Sequence, residues 1–392
     1  MAPNARYIFI ACPWTPVGGG MFKVADYLIQ SQPQGLSSTT AQLRPLDTRG
    51  AGSAVFSLWV VLTALGKIAR GRLSGRLAGV HVNMAERMSL CRKGVLIAVC
   101  AALGVPTVLH LHAQMHCFYG NLPVVLRGLT RWVFSLPKAV IVIGPVARRF
   151  VTEVLHVPAD RVRVIINGVP EPEPDAVSEP APMNTRQRVL FLGNLSHRKG
   201  VHDLLRALAL PALDLSRLEV TIAGGGDVAG YQAKARELGV DGVVRFEGWC
   251  DQKKVNRLLA NCDMLVLPSH DEVLPLAILE ALAHGVAVVT TAVGEIPSLL
   301  TDGVDAIFVA AGDPASIAAG MQKVLEVPGL RQSLAINGRA LYLRNFCLSS
   351  FFSNVASVHR RYFGVASHLE EAQPSTLDCQ DLADPASAVR HL

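Results

Sequence analysis

The chain has 392 residues, which is long enough for two domains, and half of its residues are hydrophobic. No apolar stretch runs uninterrupted for the roughly 20 residues that a spanning helix needs, and the polar N-terminus leads straight into a strand-like segment, so we expect neither a spanning helix nor a signal peptide. Charge is uneven: residues 1–150 contain 16 Lys and Arg against 3 Asp and Glu, a balance of +13, whereas the remainder balances at −7.

The charge pattern indicates the kind of partner, and the cysteines indicate the cellular compartment. A basic region beside the apolar, Trp-containing segment 54–66 favours an anionic membrane surface or an acidic acceptor over a merely soluble basic domain. Nucleic acid is disfavoured, since no nucleic-acid-binding motif is present. None of the eight cysteines forms a Cys-x-x-Cys pair, which argues against a zinc or redox site, and we expect most of them to be buried in a reducing cytoplasm.

Strand-like and helix-like segments alternate along the chain. The first predicted strands are 7–11, 80–83, 107–112, 139–143 and 162–166, with a predicted helix at 21–30. A Pro-rich segment at 170–182 is typical of an interdomain linker. Further strands are predicted at 188–192, 218–223, 243–247, 264–267, 286–290 and 306–309. Because strands that alternate with helices form parallel sheets, the pattern predicts an α/β protein with two Rossmann-like, doubly wound domains facing a central cleft.

Two carboxylates stand in the most informative stretch, residues 268–285. Seven residues separate Glu272, which follows a predicted strand, from Glu280, which lies in the helix expected after Pro275. In an open α/β sheet the loop after a strand lies at the carboxyl edge, where ligands bind. The helix N-terminus offers unpaired N–H groups and the positive end of a dipole, which suit a pyrophosphate. Two acids flanking such a phosphate site predict hydroxyl binding, as for a sugar ring or a ribose.

This stretch resembles the signature of the retaining glycosyltransferases of family 4, which have the GT-B fold. Their pattern is Glu, seven residues, then Glu-Ala-small-Ala-x-Gly-x-Pro-Val-Val, and here Ala287 replaces the family's proline. The resemblance implies an acceptor domain over residues 1–170 and a nucleotide-sugar donor domain over 188–345, joined by a linker over 171–187. It also implies a closing helix that returns to the first domain. The domain assignment is completed by this helix at 346–363 and by a polar, acidic tail at 364–392 that we expect to be disordered.

A second match opens the donor domain. Residues 192–200 resemble the family's Gly-Arg-Leu…Lys-Gly motif, and Lys199 corresponds to the lysine that contacts the donor diphosphate. A cation there would stabilise negative charge on the leaving group as the sugar–phosphate bond breaks. Asn194 replaces the family's arginine, and Arg198 either supplies the missing charge or faces solvent. The resemblance further implies that Glu272 holds the sugar hydroxyls and Glu280 the ribose; it places the leaving phosphate at the backbone of Leu274, Pro275 and Leu276.

Glycine-rich loops follow two of the predicted strands. Gly18 to Gly20 follow the first strand, where the family has a loop that contacts the donor phosphates or the acceptor, so Gly19 and Gly20 are candidate ligand-binding residues. Gly224 opens a second run that matches a family Gly-x-Gly segment, against which a nucleotide can lie. No Gly-x-Gly-x-x-Gly follows the first strand, which disfavours a nicotinamide enzyme.

Three histidines cluster at the predicted end of a strand in the first domain, at positions 110, 112 and 116. Family members often carry a histidine here that faces the transferred sugar, and His112 fits that position best. Three histidines also suggest a metal, but their spacing and the lack of a nearby Asp or Glu argue against a complete metal site. We expect structural roles for His110, His116 and the earlier His81.

The resemblance therefore implies a retaining hexosyltransferase that moves a sugar from a nucleotide-diphosphate sugar to a lipid-linked glycan acceptor. Its expected catalytic residues are Lys199, Glu272 and His112, without a cofactor or a required metal. The expected setting is bacterial surface-polysaccharide or exopolysaccharide biosynthesis, by a cytoplasmic protein that binds the inner face of the membrane. Two alternatives stay open: a GT-B-shaped sugar-nucleotide epimerase, and a degenerate, non-catalytic partner subunit, which the Asn194 replacement motivates.

Overall fold

The computed structural model describes residues 6–15, 19–32, 40–172 and 186–370. The chain divides into two compact units. The first contains the described residues up to Gly168 and those from Ser349 onward, and the second runs from Val169 to Leu348. Each unit is built on a six-stranded sheet with helices interleaved between its strands, so the predicted α/β class is confirmed. The predicted linker and the predicted disordered tail lie largely outside the described residues, and so does Gly18.

The sheet of the first unit is parallel, with the strand order β2-β1-β3-β4-β5-β6. Its strands are β1 Tyr7–Cys12, β2 Gln42–Asp47, β3 Leu77–Met84, β4 Thr107–Leu111, β5 Ala139–Val142 and β6 Val162–Val164. Strands β1, β3, β4 and β5 are buried throughout, which accounts for their nearly continuous apolar sequences. The sequence analysis missed β2, because this edge strand mixes polar residues with Pro45.

Helices cover both faces of the first sheet. They are α1 Gly20–Gln30, α2 Ala54–Leu73, α3 Met88–Ala102, α4 His116–Gly120, α5 Val124–Ser135 and α6 Pro145–Arg149. Val80 and Val82 of β3 join a core cluster that includes the inner sides of α2, α3 and α5. Their neighbour His81 points to the opposite face, where it meets His359 of the last helix, α14 Leu348–Phe363. The three helices α2, α3 and α5 therefore form one layer on one face of the sheet.

The sheet of the second unit is also parallel, with the strand order β12-β11-β10-β7-β8-β9. Its strands are β7 Gln187–Leu192, β8 Leu218–Ala223, β9 Val244–Gly248, β10 Met264–Leu267, β11 Ala287–Thr291 and β12 Ile307–Val309. Its helices are α7 Val201–Leu208, α8 Val228–Glu237, α9 Gln252–Ala260, α10 Leu276–Ala283, α11 Ile296–Leu299, α12 Pro314–Glu326 and α13 Leu330–Asn345.

The strand order reverses at β7 in this second sheet. The chain proceeds from β7 to β8 and β9 on one side, and then returns to place β10 on the other side of β7. The loops after β7 and β10 therefore flank the topological switch point at the carboxyl edge. In open α/β sheets this is the place where ligands bind. The two loops carry Lys199 and Glu272, both of which the sequence analysis selected as site residues.

None of the helices in the described part of the chain is long and apolar enough to cross a bilayer. All seven cysteines in that part are free thiols. The prediction that most cysteines are buried is wrong, because among these seven Cys12, Cys100 and Cys347 are buried, whereas Cys91 and Cys117 are exposed. Cys91 lies on α3, a helix that is apolar even on its exposed side, so an apolar neighbourhood in sequence did not indicate burial there.

Candidate active site

Close backbone packing joins the two loops at the switch point of the second sheet. The backbone N–H of His270, after β10, donates to the carbonyl oxygen of Arg198, after β7, at 2.8 Å. Gly200 has φ +73°, and a Cβ at this position would lie 2.0 Å from the carbonyl oxygen of Pro268. A side chain would therefore force the loops apart, which explains the glycine.

Side chains add a second set of contacts that sequence analysis did not identify. The imidazole Nε2 of His270 lies 2.6 Å from the carboxylate Oδ2 of Asp203 in α7, and Asp203 is buried. The His270 ring also stacks on His197, with 4.7 Å between ring centroids. These contacts hold the short 3₁₀ turn His197–Lys199 in a defined position. They therefore also fix the backbone of Lys199, the last residue of the turn. A lone His and a distant Asp carry no recognisable spacing, so the sequence contained no signal for this pair.

Two cations converge on one carboxylate in the joined loops. The Lys199 ammonium lies 2.6 Å from Oε1 of Glu272, and the Arg198 guanidinium lies 3.0 Å from the same oxygen. Arg198 also donates to the carbonyl oxygen of Asp271 at 2.7 Å. The side chains of Lys199 and Glu272 are 12% and 11% exposed, whereas that of Arg198 is 54% exposed. The cluster carries a net charge of about +1, and its Lys199–Glu272 pair is partly shielded from water.

The N-terminus of α10 lies on the same loop as Glu272. Pro275 precedes the first residue of the helix, and no side chain caps the N–H groups of its first turn. Such N–H groups have no acceptor within the helix and favour an anion. The backbone N–H of Glu295 donates to the carbonyl oxygen of Val273 at 2.8 Å, which ties this loop to the segment after β11. The predicted positions of Glu272 in a strand-to-helix loop and of Glu280 in the following helix are confirmed.

Glu280 is a buried carboxylate. It is 5% exposed, and its Oε1 accepts a hydrogen bond from the side-chain amide of Gln252, the first residue of α9, at 3.3 Å. A neutral amide therefore holds one oxygen of this acid. Sequence analysis did not identify Gln252, because it lies 28 residues before Glu280 in an ordinary polar helix start. The assignment of Glu280 to a ribose stays a prediction.

The glycines after β8 have a packing explanation. Gly224 has φ +153°, and a Cβ there would lie 1.8 Å from the carbonyl oxygen of Gly193 in the loop after β7. The contact between these two loops therefore requires glycine whether or not a nucleotide lies against it. Asn194 is exposed beside this contact, and a Cβ built on Gly226 would lie 3.2 Å from its Oδ1. The roles of Gly224 and Asn194 in donor binding stay predictions.

The first unit holds the remaining predicted residues at the carboxyl edge of its own sheet. Gly19 precedes α1, with open space where a Cβ would be, and Gly20 is the first residue of that helix. His112 directly follows β4, and its Nε2 lies 2.9 Å from the side-chain oxygen of Asn83. The Asn83 amide in turn donates to the carbonyl oxygen of Ala11 at 3.4 Å. Buried Asn83 thus sets the orientation of the His112 ring, a contact that the sequence analysis did not predict.

The predicted three-histidine cluster is wrong for one of its members. The rings of His110 and His112 lie 4.0 Å apart, but His116 belongs to α4 and packs against Phe150 instead. In the described ranges, no group of three or more His, Cys, Asp or Glu side chains is arranged to hold a metal ion. His81 and His110 are fully buried, in agreement with the structural roles that we expected for them.

His81 is the centre of a buried chain of imidazoles. Its Nδ1 lies 2.9 Å from Nε2 of His359, and its Nε2 lies 3.3 Å from Nδ1 of His110. Burial lowers the pKa of His81 to about 4 and the pKa values of His110 and His359 well below the usual value. One proton on each ring is enough for the two hydrogen bonds that link the three rings, so neutral imidazoles suffice, although His110 Nε2 and His359 Nδ1 are buried without a hydrogen-bond partner among the described residues.

Lys93 is a second buried titratable group beside this edge. Its ammonium donates to the hydroxyl of Ser89 at 3.0 Å and lies 3.8 Å from the Met21 sulfur in the first turn of α1. Burial lowers the pKa of Lys93 to about 8. The sequence did not reveal this position, because a lysine in a helix ordinarily faces water.

The chain is similar to known glycosyltransferases. The model of the glycosyl transferases group 1 matches residues 175–341, and the model of glycosyltransferase family 4 matches residues 58–171. A D-inositol 3-phosphate glycosyltransferase of Frankia alni is 30% identical over 280 residues, which cover 63% of this chain and 67% of that protein. An uncharacterized glycosyltransferase of Methanocaldococcus jannaschii is 28% identical over 56% of this chain and 59% of its own length.

A solved structure has the same fold. HepE of Anabaena, in complex with UDP-glucose, superposes with a TM-score of 0.71 at 17% identity, covering 91% of this chain and 99% of HepE. The two parallel sheets and the interleaved helices of this chain are those of the GT-B fold. The chain belongs to the GT-B glycosyltransferases. The chain spans 59% of the length of the M. jannaschii relative.

Proposed function

We propose that the protein transfers a sugar from a nucleotide-diphosphate sugar to a glycan acceptor with retention of anomeric configuration. The observation that carries the proposal is the convergence of Lys199 and Arg198 on Glu272, at the switch point of the second sheet. Excess positive charge beside the N-terminus of α10 suits a diphosphate. HepE, which shares the fold, is described with UDP-glucose bound, which supports a nucleotide-sugar donor.

The cluster explains how the leaving group would be stabilised. As the bond between the anomeric carbon and the phosphate oxygen lengthens, negative charge accumulates on the diphosphate. Lys199 and the N–H groups at the start of α10 are already positioned for that charge, so little reorganisation is required. Glu272 holds the ammonium in place before the donor binds, and in our proposal it also contacts the sugar hydroxyls. Glu280 is proposed to bind the ribose, and His112 to face the transferred sugar.

Retention follows if the acceptor attacks from the face that the diphosphate leaves. The acceptor oxygen bonds to the anomeric carbon, the sugar–phosphate bond breaks, and the acceptor proton passes to the departing phosphate oxygen. This route requires no carboxylate nucleophile on the protein. It is supported by the resemblance of the segment from Glu272 to Glu280 to the retaining family, which uses this spacing.

Turnover of a donor panel separates this proposal from its two alternatives. We expect UDP- or GDP-sugar to release nucleoside diphosphate in step with the appearance of the sugar on an added lipid-linked glycan. An epimerase would release free sugar at the same rate without the glycan. A non-catalytic partner subunit would show no turnover in either case. Either of these two results would contradict the proposed transferase.

Removing divalent metal ions is expected to leave activity unchanged. Lys199, Arg198 and the N-terminus of α10 already supply positive charge to the proposed diphosphate site, and two cations already contact Glu272. Initial rates should therefore agree within error with and without EDTA. Activity that is abolished by EDTA and restored by added Mg²⁺ or Mn²⁺ would refute this prediction.

We also propose that the acceptor is lipid-linked and that the protein meets it at the cytoplasmic face of the membrane, in surface-polysaccharide assembly. The balance of +13 over residues 1–150 supports an anionic membrane partner. Exposed Trp59 on α2 supports it further, because indole rings favour the boundary between lipid and water.

A further inference from the structure

Large exposed hydrophobic side chains are concentrated in one layer of helices. Of the eighteen recorded in the described part of the chain, thirteen lie on α2, α3 and α5. Val125 of α5 is 80% exposed and Trp59 of α2 is 63% exposed. The inner sides of the same helices pack on the core of the first sheet, and α3 contacts both α2 and α5. The exposed residues therefore share one outward surface, and such a concentration of exposed apolar side chains marks an interaction site.

This surface adjoins the carboxyl edge of the first sheet. In a parallel sheet, the connection after each strand leaves from the carboxyl edge; α2 and α3 directly follow β2 and β3, and α5 follows the short helix α4 in the connection after β4. Ten of the thirteen side chains lie in the N-terminal parts of these helices, within residues 55–62, at Met88 and within 124–129. The apolar surface is thus next to the edge at which His112 and Gly19 lie.

The charges around the apolar surface select its partner. Residues 51–135 contain nine Lys and Arg, of which Lys93 is buried, but a single acid, Glu86, which pairs with Arg87 at 3.4 Å. Exposed Lys67, Arg70 and Arg72 continue along the C-terminal half of α2, directly beyond its apolar part. Apolar side chains beside a row of cations match an anionic bilayer, in which acyl chains lie beneath negatively charged headgroups.

We propose that the N-terminal parts of α2, α3 and α5 form a docking surface for an anionic lipid bilayer, so that the carboxyl edge of the first sheet lies against the lipid. Trp59 and Trp132 lie on the outer sides of α2 and α5, where their rings enter the headgroup region. One consequence of the docking surface rests on the proposed function: a lipid-linked acceptor would reach the carboxyl edge of the first sheet without leaving the membrane.

Binding to vesicles tests the apolar part of the surface. Val125→Glu and Leu129→Glu each remove apolar contact and add a like charge to the lipid, so each should weaken partitioning to phosphatidylglycerol vesicles at least about tenfold. Val327→Glu is the matched control, because Val327 is 46% exposed but belongs to the second unit. Partitioning of this control should equal that of the wild type in co-sedimentation.

Neutralising the basic row tests the electrostatic part. Changing Lys67, Arg70 and Arg72 together to Gln should weaken binding at low salt by about fivefold for each residue. The difference from wild type should shrink as salt rises, because ions screen the attraction. Binding that survives high salt should depend on Val125 and Leu129.

Tryptophan fluorescence locates the contact directly. Vesicles with brominated acyl chains should quench the wild-type protein, and the double change Trp59→Phe and Trp132→Phe should remove most of that quenching, leaving the share of half-buried Trp14, which follows β1. Trp249 is 56% exposed in the second unit, and Trp249→Phe should leave the quenching of the other rings intact.

Three results would overturn the proposal. The first is full vesicle binding by Val125→Glu. The second is a wild-type protein that does not bind anionic vesicles. The third is a wild-type protein that does not bind vesicles but forms a dimer, which Val125→Glu disrupts. The last result, seen by sedimentation, would assign the surface to a second copy of this chain. Donor hydrolysis without vesicles should be the same in Val125→Glu and wild type. A protein that binds vesicles but turns over no donor would refute the proposed function and leave the docking surface standing.

Discussion

Lys199→Ala is expected to lower kcat about 100- to 1,000-fold while it changes donor affinity much less, because the ammonium contact strengthens as charge develops on the leaving diphosphate. The starting geometry supports this split. Lys199 is held by Glu272 at 2.6 Å, and its aliphatic stem packs over Gly193. The amine is thus preorganised before the donor binds. Steady-state rates and calorimetric donor titration measure the two quantities separately.

Arg198 provides the matched comparison for this experiment. Its guanidinium contacts the same oxygen of Glu272 but is 54% exposed, so water screens its charge. Arg198→Ala should reduce kcat less than Lys199→Ala if the arginine mainly positions Glu272. An equal reduction would show that Arg198 supplies the charge that Asn194 lacks. Full turnover in Lys199→Ala, with an unchanged melting temperature, would disprove the phosphate assignment.

Acidification from pH 7 to pH 5 is expected to destabilise the first unit by several kcal/mol. His81 and His368 are buried, and burial lowers the pKa of each to about 4. An unfolded histidine has a pKa of about 6.5, so between pH 6.5 and pH 4 the unfolded chain binds protons that the folded chain excludes. The stabilising contribution is therefore complete above pH 6.5 and is lost as pH falls. Each of these two rings should cost about 2 kcal/mol at pH 5.

Urea unfolding at a series of pH values measures this loss. His81→Asn should flatten the dependence of unfolding free energy on pH, even if it lowers stability at pH 7 by disturbing its bonds to His110 and His359. His156→Asn is the control, because His156 is exposed and has φ +60°, a conformation that asparagine tolerates. The slope of unfolding free energy against pH should be the same in His156→Asn and in the wild type. If the free energy of unfolding of the wild type were the same at pH 7 and pH 5, the prediction would be wrong. The buried imidazoles would then bind protons in the folded state as readily as in the unfolded state.

The sequence by itself determined the fold class and the positions of two carboxylates, Glu272 and Glu280, in the second unit. Buried strands of a parallel sheet are continuous apolar runs, so β1, β4, β5 and β10 were recognisable without tertiary information. The position of Glu272 after a strand and of Glu280 in the next helix followed from local signals alone, since Pro275 and Gly285 mark the limits of α10.

Tertiary structure decided which residues meet and which surfaces are covered. Lys199 and Glu272 are 73 residues apart in sequence, and they pair because β7 and β10 are neighbours at the switch point. The same strand order brings His270 to Asp203, and the last helix brings His359 to His81. Sequence patterns report periodicity within one element, and contacts between distant elements leave no such trace. For the same reason the exposure of the apolar outer side of α5 was decided only by the packing of α2, α3 and α5.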